Sequence, residues 1–149
     1  MPAHCDSRVT TVVADAKRVT PGQLARLCPA GFSAVLSDMA PATSGVASLD
    51  ATRSQVLAEL AVRIALGDWD GMIEGGDAAD GHTKGVLRPG GALVLKLLEG
   101  SGSDRQVLQA LTVPRFRKVH WMRPKATRSE SSEVYLVATG LKLQGFGIS

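Results

Sequence analysis

Short apolar runs broken by glycine, proline and acids divide this chain into segments of alternating type. Val9-Thr10-Thr11-Val12-Val13 is rich in β-branched residues and predicts a strand that ends at Ala14-Asp15. Thr20 as cap and Pro21 at the first helical position predict a short helix through Leu24 and Leu27, closed by Pro29-Ala30-Gly31. Ala34-Val35-Leu36-Ser37 is a run of apolar or small residues and reads as a buried strand, which Pro41 keeps from continuing. Asp38 then stands at the carboxyl end of that strand, the edge where open α/β sheets place their ligands. Strand, helix and strand in that order predict a parallel sheet.

Asp50 is placed to cap a long helix in which Val56, Leu57, Leu60, Ala61, Ile64 and Ala65 recur at helical spacing, with Gly67 to stop it. The stretch from Gly67 to Lys84 is rich in glycine and aspartate and reads as an exposed insertion. Its acids do not have the spacing of a calcium loop, so no metal site is assigned. Arg88-Pro89-Gly90-Gly91 predicts a turn feeding a strand over Ala92–Leu98 that is apolar on both faces apart from Lys96. A helix over Ser103–Leu111, a basic strand over Lys118–Met122 and a last strand over Glu133–Ala138 complete the pattern. The final two lie close in sequence and predict an antiparallel pair at the end of an otherwise parallel sheet. If the last strand runs against the others, its first residue, Glu133, arrives at the edge that carries Asp38 and Lys96.

The 149 residues are one domain's worth of chain, so residues 1–149 read as a single domain. With 44% hydrophobic and 21% charged residues and a mean hydropathy of +0.07, the composition is that of a globular protein rather than a disordered one. No apolar run approaches the roughly 20 residues that span a bilayer, so a membrane role has no support. Met1–Arg8 has no apolar core of a targeting peptide. The net charge of +3 permits a nucleic-acid partner without requiring one. Its distribution is more informative: Arg115, Arg117, Lys118, Arg123, Lys125 and Arg128 cluster with His120 and Trp121, and no acid lies among them. Such a run either tracks phosphates or is a solvated face, and the phosphate reading is preferred. Cys5 and Cys28 lack metal spacing and read as reduced thiols, and the scattered His4, His82 and His120 are assigned no ligand role.

Three polar residues in or beside apolar strands are the candidates for chemistry. Asp38 has a plain alternative as a capping or turn residue. Lys96 is costly to bury, so it must be ion-paired, at an edge or used. Three stretches turn the choice: Ser37-Asp38-Met39-Ala40-Pro41 with Ser44-Gly45 downstream; Leu87-Arg88-Pro89-Gly90-Gly91 leading to Lys96; and Arg123-Pro124-Lys125-Ala126-Thr127-Arg128-Ser129-Glu130-Ser131-Ser132-Glu133-Val134-Tyr135. In this order they closely resemble the FtsJ-like ribosomal-RNA ribose methyltransferases over nearly the whole chain. The resemblance implies an α/β, Rossmann-like, S-adenosylmethionine-dependent methyltransferase sheet, mostly parallel with one antiparallel strand. It implies transfer of a methyl group from S-adenosylmethionine to a ribose 2′-hydroxyl, with ribosomal RNA as partner. In that family a Lys-Asp-Lys-Glu tetrad serves the reaction, and by motif Asp38, Lys96 and Glu133 match its last three members. Asp15 resembles the acid that holds the adenine amino group of the donor, and Met39 the residue lining the donor's methionine end. A ribose hydroxyl is a poor nucleophile near neutral pH, so a base must take its proton. A lysine whose pKa is lowered by a neighbouring lysine meets that need, with Asp38 and Glu133 orienting Lys96.

The same resemblance implies a first lysine, a Gly-rich donor turn and a ribose-binding acid ahead of the strand that ends at Asp15, where only Met1–Arg8 precede Val9. Without those strands the first strand has no neighbour. A longer or split enzyme with a separate chain supplying the N-terminal half, a shortened sequence, and a degenerate RNA-binding or ribosome-assembly relative all remain open. The Ser-Glu-Ser-Ser-Glu form of the last motif looks most like the mitochondrial and alphaproteobacterial branch, which implies a mitochondrial address, with the cytoplasm as the alternative.

Overall fold

The structure, a computed structural model, describes residues 9–67, 85–124 and 132–143. Its elements run α1 (Pro21–Leu27), β1 (Phe32–Ser37), α2 (Ala47–Leu66), β2 (Leu87–Leu98), α3 (Arg105–Thr112), β3 (Phe116–Met122) and β4 (Glu133–Leu141). The strands form one sheet in the order β1-β2-β4-β3, with β1 parallel to β2 and β4 antiparallel to both of its neighbours. Three strands therefore share one direction and β4 alone opposes them, as the sequence predicts.

Alternation along the strands gives the sheet two unlike faces. Leu93, Leu95 and Leu97 of β2 join Val134, Leu136 and Ala138 of β4, and Phe116 of β3, in one core. Ala58, Ala61, Val62, Ala65 and Leu66 of α2 and Leu108 of α3 cover that face. Ser54, wholly buried on α2, accepts the Leu98 N–H through Oγ at 2.9 Å and ties the helix to the end of β2. The opposite face carries Leu36, Val94, Lys96, Tyr135 and Val137, and Leu36 is 76% exposed.

Local signals explain the short elements. Thr20 Oγ1 accepts the Gln23 N–H, and the Gln23 side chain accepts the Thr20 N–H, a reciprocal cap on α1. Gly67 closes α2 at φ 93°, a left-handed conformation that favours glycine.

Four expectations need correction. Val9–Val13 forms no strand and Val13 is 99% exposed, because no described strand lies beside it to take its backbone hydrogen bonds. The β1 strand is not buried, since among the described residues it is the sheet's edge and one of its faces is open. Arg88-Pro89-Gly90-Gly91 does not precede the strand but interrupts it: Phe32 pairs with Leu87 and Ala34 with Ala92, so β2 loops out three extra residues, with Gly90 at φ 77°. Asp50 is not the cap of α2, which falls at Val46; it sits inside the first turn and serves the preceding loop. Gly67 apart, the insertion expected over 67–84 lies outside the described residues.

Candidate active site

The parallel β1 and β2 strands end together, because Ser37 pairs with Leu95 and leaves Asp38 beside Lys96. The antiparallel β4 strand begins at that edge, with Glu133 opposite Leu98 and Tyr135 opposite Lys96. Period-two alternation then points Lys96, Glu133 and Tyr135 to the same face. Lys96 Nζ lies 2.8 Å from Asp38 Oδ1 and 3.8 Å from Glu133 Oε1. Tyr135 Oη donates to Asp38 Oδ1 at 3.3 Å. The lysine is 8% exposed whereas the Asp38 side chain is 78% exposed, so the ammonium is anchored inside and its partner faces outward.

Electrostatics follow from that placement. The Lys96 hydrogen bond is the main influence on Asp38 and holds its carboxyl below 3.8. Burial acts to lower Lys96, but the Asp38 hydrogen bond and the charges of Asp38 and Glu133 outweigh it and carry the ammonium above 10.5. Burial, and then the Asp38 charge, raise the Tyr135 phenol above 10.0. Among the described residues Lys96 thus meets two carboxylates, and their pull on its pKa is upward. Tyr135 escaped the sequence reading, although its position two residues after Glu133 on one strand was the available signal.

The loop after Asp38 is held by Asp50, which accepts the Ser44 N–H at 2.9 Å and the Ser44 hydroxyl at 2.7 Å. These hydrogen bonds, the backbone one first, lower the Asp50 pKa below 3.8. Met39, in that loop, packs against the hydrophobic core. Asp15 stands on the exposed irregular segment, where its carboxylate accepts the Lys17 N–H at 3.0 Å, and not at a strand end. Of the three residues expected to hold the donor, Asp38 and Met39 stand together in the loop after β1, and Asp15 stands on a separate exposed segment.

The basic run divides. Arg117, Lys118 and His120 are exposed along β3. Arg115 instead turns to the end of α2, its Nη2 donating to Leu66 O at 3.5 Å. Arg123 is paired with Glu99 at 2.7 Å. Lys125 and Arg128 lie outside the described residues.

A model of the FtsJ-like methyltransferase family matches residues 2–141. The chain belongs to the FtsJ-like methyltransferase family. It is 47% identical over 111 residues to a ribosomal RNA large subunit methyltransferase E of Acidovorax sp., over 74% of this chain and 41% of that protein. The protein of the same name from Methylibium petroleiphilum is 43% identical over 112 residues, 75% of this chain and 41% of the relative. That of Granulibacter bethesdensis is 38% identical over 125 residues, 84% of this chain and 46% of the relative. The matched part of this FtsJ-like chain thus spans less than half the length of these relatives. A solved Plasmodium falciparum structure, assigned as a ribosomal RNA methyltransferase, superposes with a TM-score of 0.55 at 21% identity, covering 80% of this chain and 53% of that one. That likeness bears on the fold, which is the Rossmann-like α/β architecture.

Proposed function

We propose that this chain is the catalytic and RNA-facing part of an S-adenosylmethionine-dependent ribosomal-RNA ribose 2′-O-methyltransferase. The observation that carries the reading is the buried Lys96 ammonium, 2.8 Å from Asp38 and 3.8 Å from Glu133, at the carboxyl edge of two parallel strands. A packed core has no need of an ammonium there, and burying one is costly. A target ribose at this edge meets a fixed cation that orients its hydroxyl, with Asp38 and Glu133 holding that cation in place. Arg117 and Lys118 of β3 are exposed members of the basic run, placed to meet phosphates.

The donor pocket is proposed to be completed by further polypeptide, either preceding chain or a separate partner that supplies the N-terminal half. A cation added beside Lys96 by that polypeptide would lower its pKa and return the base's role to it. The second reading, a non-catalytic RNA-binding or ribosome-assembly component, is favoured by one finding: Asp15 stands on an exposed irregular segment and not at a strand end beside Asp38. A mitochondrial address is also proposed, on the Ser-Glu-Ser-Ser-Glu motif alone, and imaging of a tagged chain decides it against the cytoplasm.

Calorimetric titration of S-adenosylhomocysteine into the 149-residue chain, with a complete family member as positive control, tests the enzyme reading. It is then repeated with the complementary N-terminal polypeptide present. Micromolar binding in either case, followed by labelled methyl transfer to large-subunit ribosomal RNA that Lys96→Ala abolishes, supports it. A folded chain that binds nothing in both settings is the assembly component instead.

A further inference from the structure

A second charged cluster closes the same sheet edge on its other side. Glu99 directly follows β2, and its N–H donates to Ser132 O at 2.8 Å, where the chain enters β4. Its carboxylate gathers two guanidinium groups, Arg105 Nη2 on Oε1 and Arg123 Nη2 on Oε2, the latter at 2.7 Å. Arg105 opens α3, and Arg123 follows the end of β3. The Arg105 guanidinium lies over the Trp121 ring, 4.8 Å from its centroid. That stacking fixes the plane of the group before any ligand arrives. All three charged side chains are partly exposed, between 32% and 47%.

Three residue steps lead from Lys96 to Glu99, about 10 Å, so an RNA strand whose ribose reaches Lys96 and whose backbone rounds this edge of the sheet meets the cluster. Guanidinium groups match phosphate oxygens two at a time, and two of them already oriented around one anion lose little freedom on meeting another. We propose that Arg105 and Arg123 form a phosphodiester-binding fork for the RNA strand that enters the site, with Glu99 holding the fork together until a phosphate displaces it. This rests on the RNA-methylating reading above. It adds Arg105, which lies outside the basic run of the sequence, and it makes Glu99 a competitor of RNA rather than a simple structural acid.

The test uses the 149-residue chain and a labelled single-stranded oligouridylate, with affinity read by fluorescence anisotropy at several salt concentrations. Circular dichroism confirms that each variant is folded. Arg105→Gln and Arg123→Gln should each weaken binding about tenfold and reduce the slope of log affinity against log salt by about 0.7. Arg105→Lys keeps the charge but not the fork, so it should weaken binding with the slope unchanged. Glu99→Gln should tighten binding severalfold. If both glutamine variants bind as the wild type while Arg117→Gln and Lys118→Gln bind weakly, the fork is overturned and the RNA reading stands. A Glu99→Gln chain that stays folded but binds RNA more weakly also overturns the proposal. A wild-type chain that binds no RNA overturns both readings.

Discussion

An ammonium that is 8% exposed is tolerated at Lys96 because one carboxylate lies at hydrogen-bond distance and a second within ionic reach. Removing the cation strands no buried charge, since Asp38 is 78% exposed and stays hydrated. Lys96→Met, which keeps the stem and drops the charge, should therefore change stability at neutral pH by about 1 kcal/mol or less. The pH dependence separates the two partners. Asp38 ionises below 3.8 in the folded chain, so its contribution is complete above 3.8 and is lost as pH falls through the lower folded value. Lys96 ionises above 10.5, so its contribution is complete below 10.5 and is lost as pH rises through the higher folded value. Thermal melts of wild type and Lys96→Met along both limbs should converge at the two extremes and differ between them. Identical profiles throughout would show that the ion pair contributes nothing to folding. Tyr135→Phe removes a long, exposed hydrogen bond to Asp38 and should cost less than about 1 kcal/mol, measured by the same melts.

At the scale of elements, the joint between α2 and the end of β2 is where small residues decide the outcome. Ser54→Ala deletes the buried acceptor of the Leu98 N–H and leaves that donor unpaired, so it should cost about 1–3 kcal/mol in denaturant unfolding. Gly102 meets α2 so closely that an added Cβ would collide with Ser48 O and Thr52 Oγ1, so Gly102→Ala should destabilise the chain by about 1–3 kcal/mol. Variants as stable as the wild type would mean that the turn after β2 moves freely against α2. The legibility of the sequence divides along the same line between local and distant causes. The Thr20 cap of α1 and the glycine stop of α2 were legible because each lies within a few residues of the turn it serves. So was the meeting of Asp38, Lys96 and Glu133, because strand ends and strand direction determine it. Val9–Val13 has the composition of a strand, but a strand needs a neighbour, and composition carries no information about one. The upward pull on Lys96 was not legible for a related reason: the expectation leaned on a second lysine, and the described residues place Asp38 and Glu133 beside it.

For the molecule as a whole, the unlike faces of the sheet matter most. Helices α2 and α3 bury one face, whereas on the other Leu36 is 76% exposed and lies beside Val94. The β1 strand pairs with β2 on one side, and among the described residues no strand takes its other edge. An unpaired edge next to an exposed apolar side chain is the arrangement that recruits further strands. The isolated chain should therefore sediment as a concentration-dependent mixture rather than a single monomer. Leu36→Lys places a charge on the open face of that edge without touching the core, so it should shift the mixture toward monomer and leave the melting temperature nearly unchanged. If the wild type is monomeric at every concentration, the edge is already protected, and residues outside the described segments become the place to look for its cover. If Leu36→Lys lowers the melting temperature by several degrees instead, Leu36 is packed in solution and the face is not open.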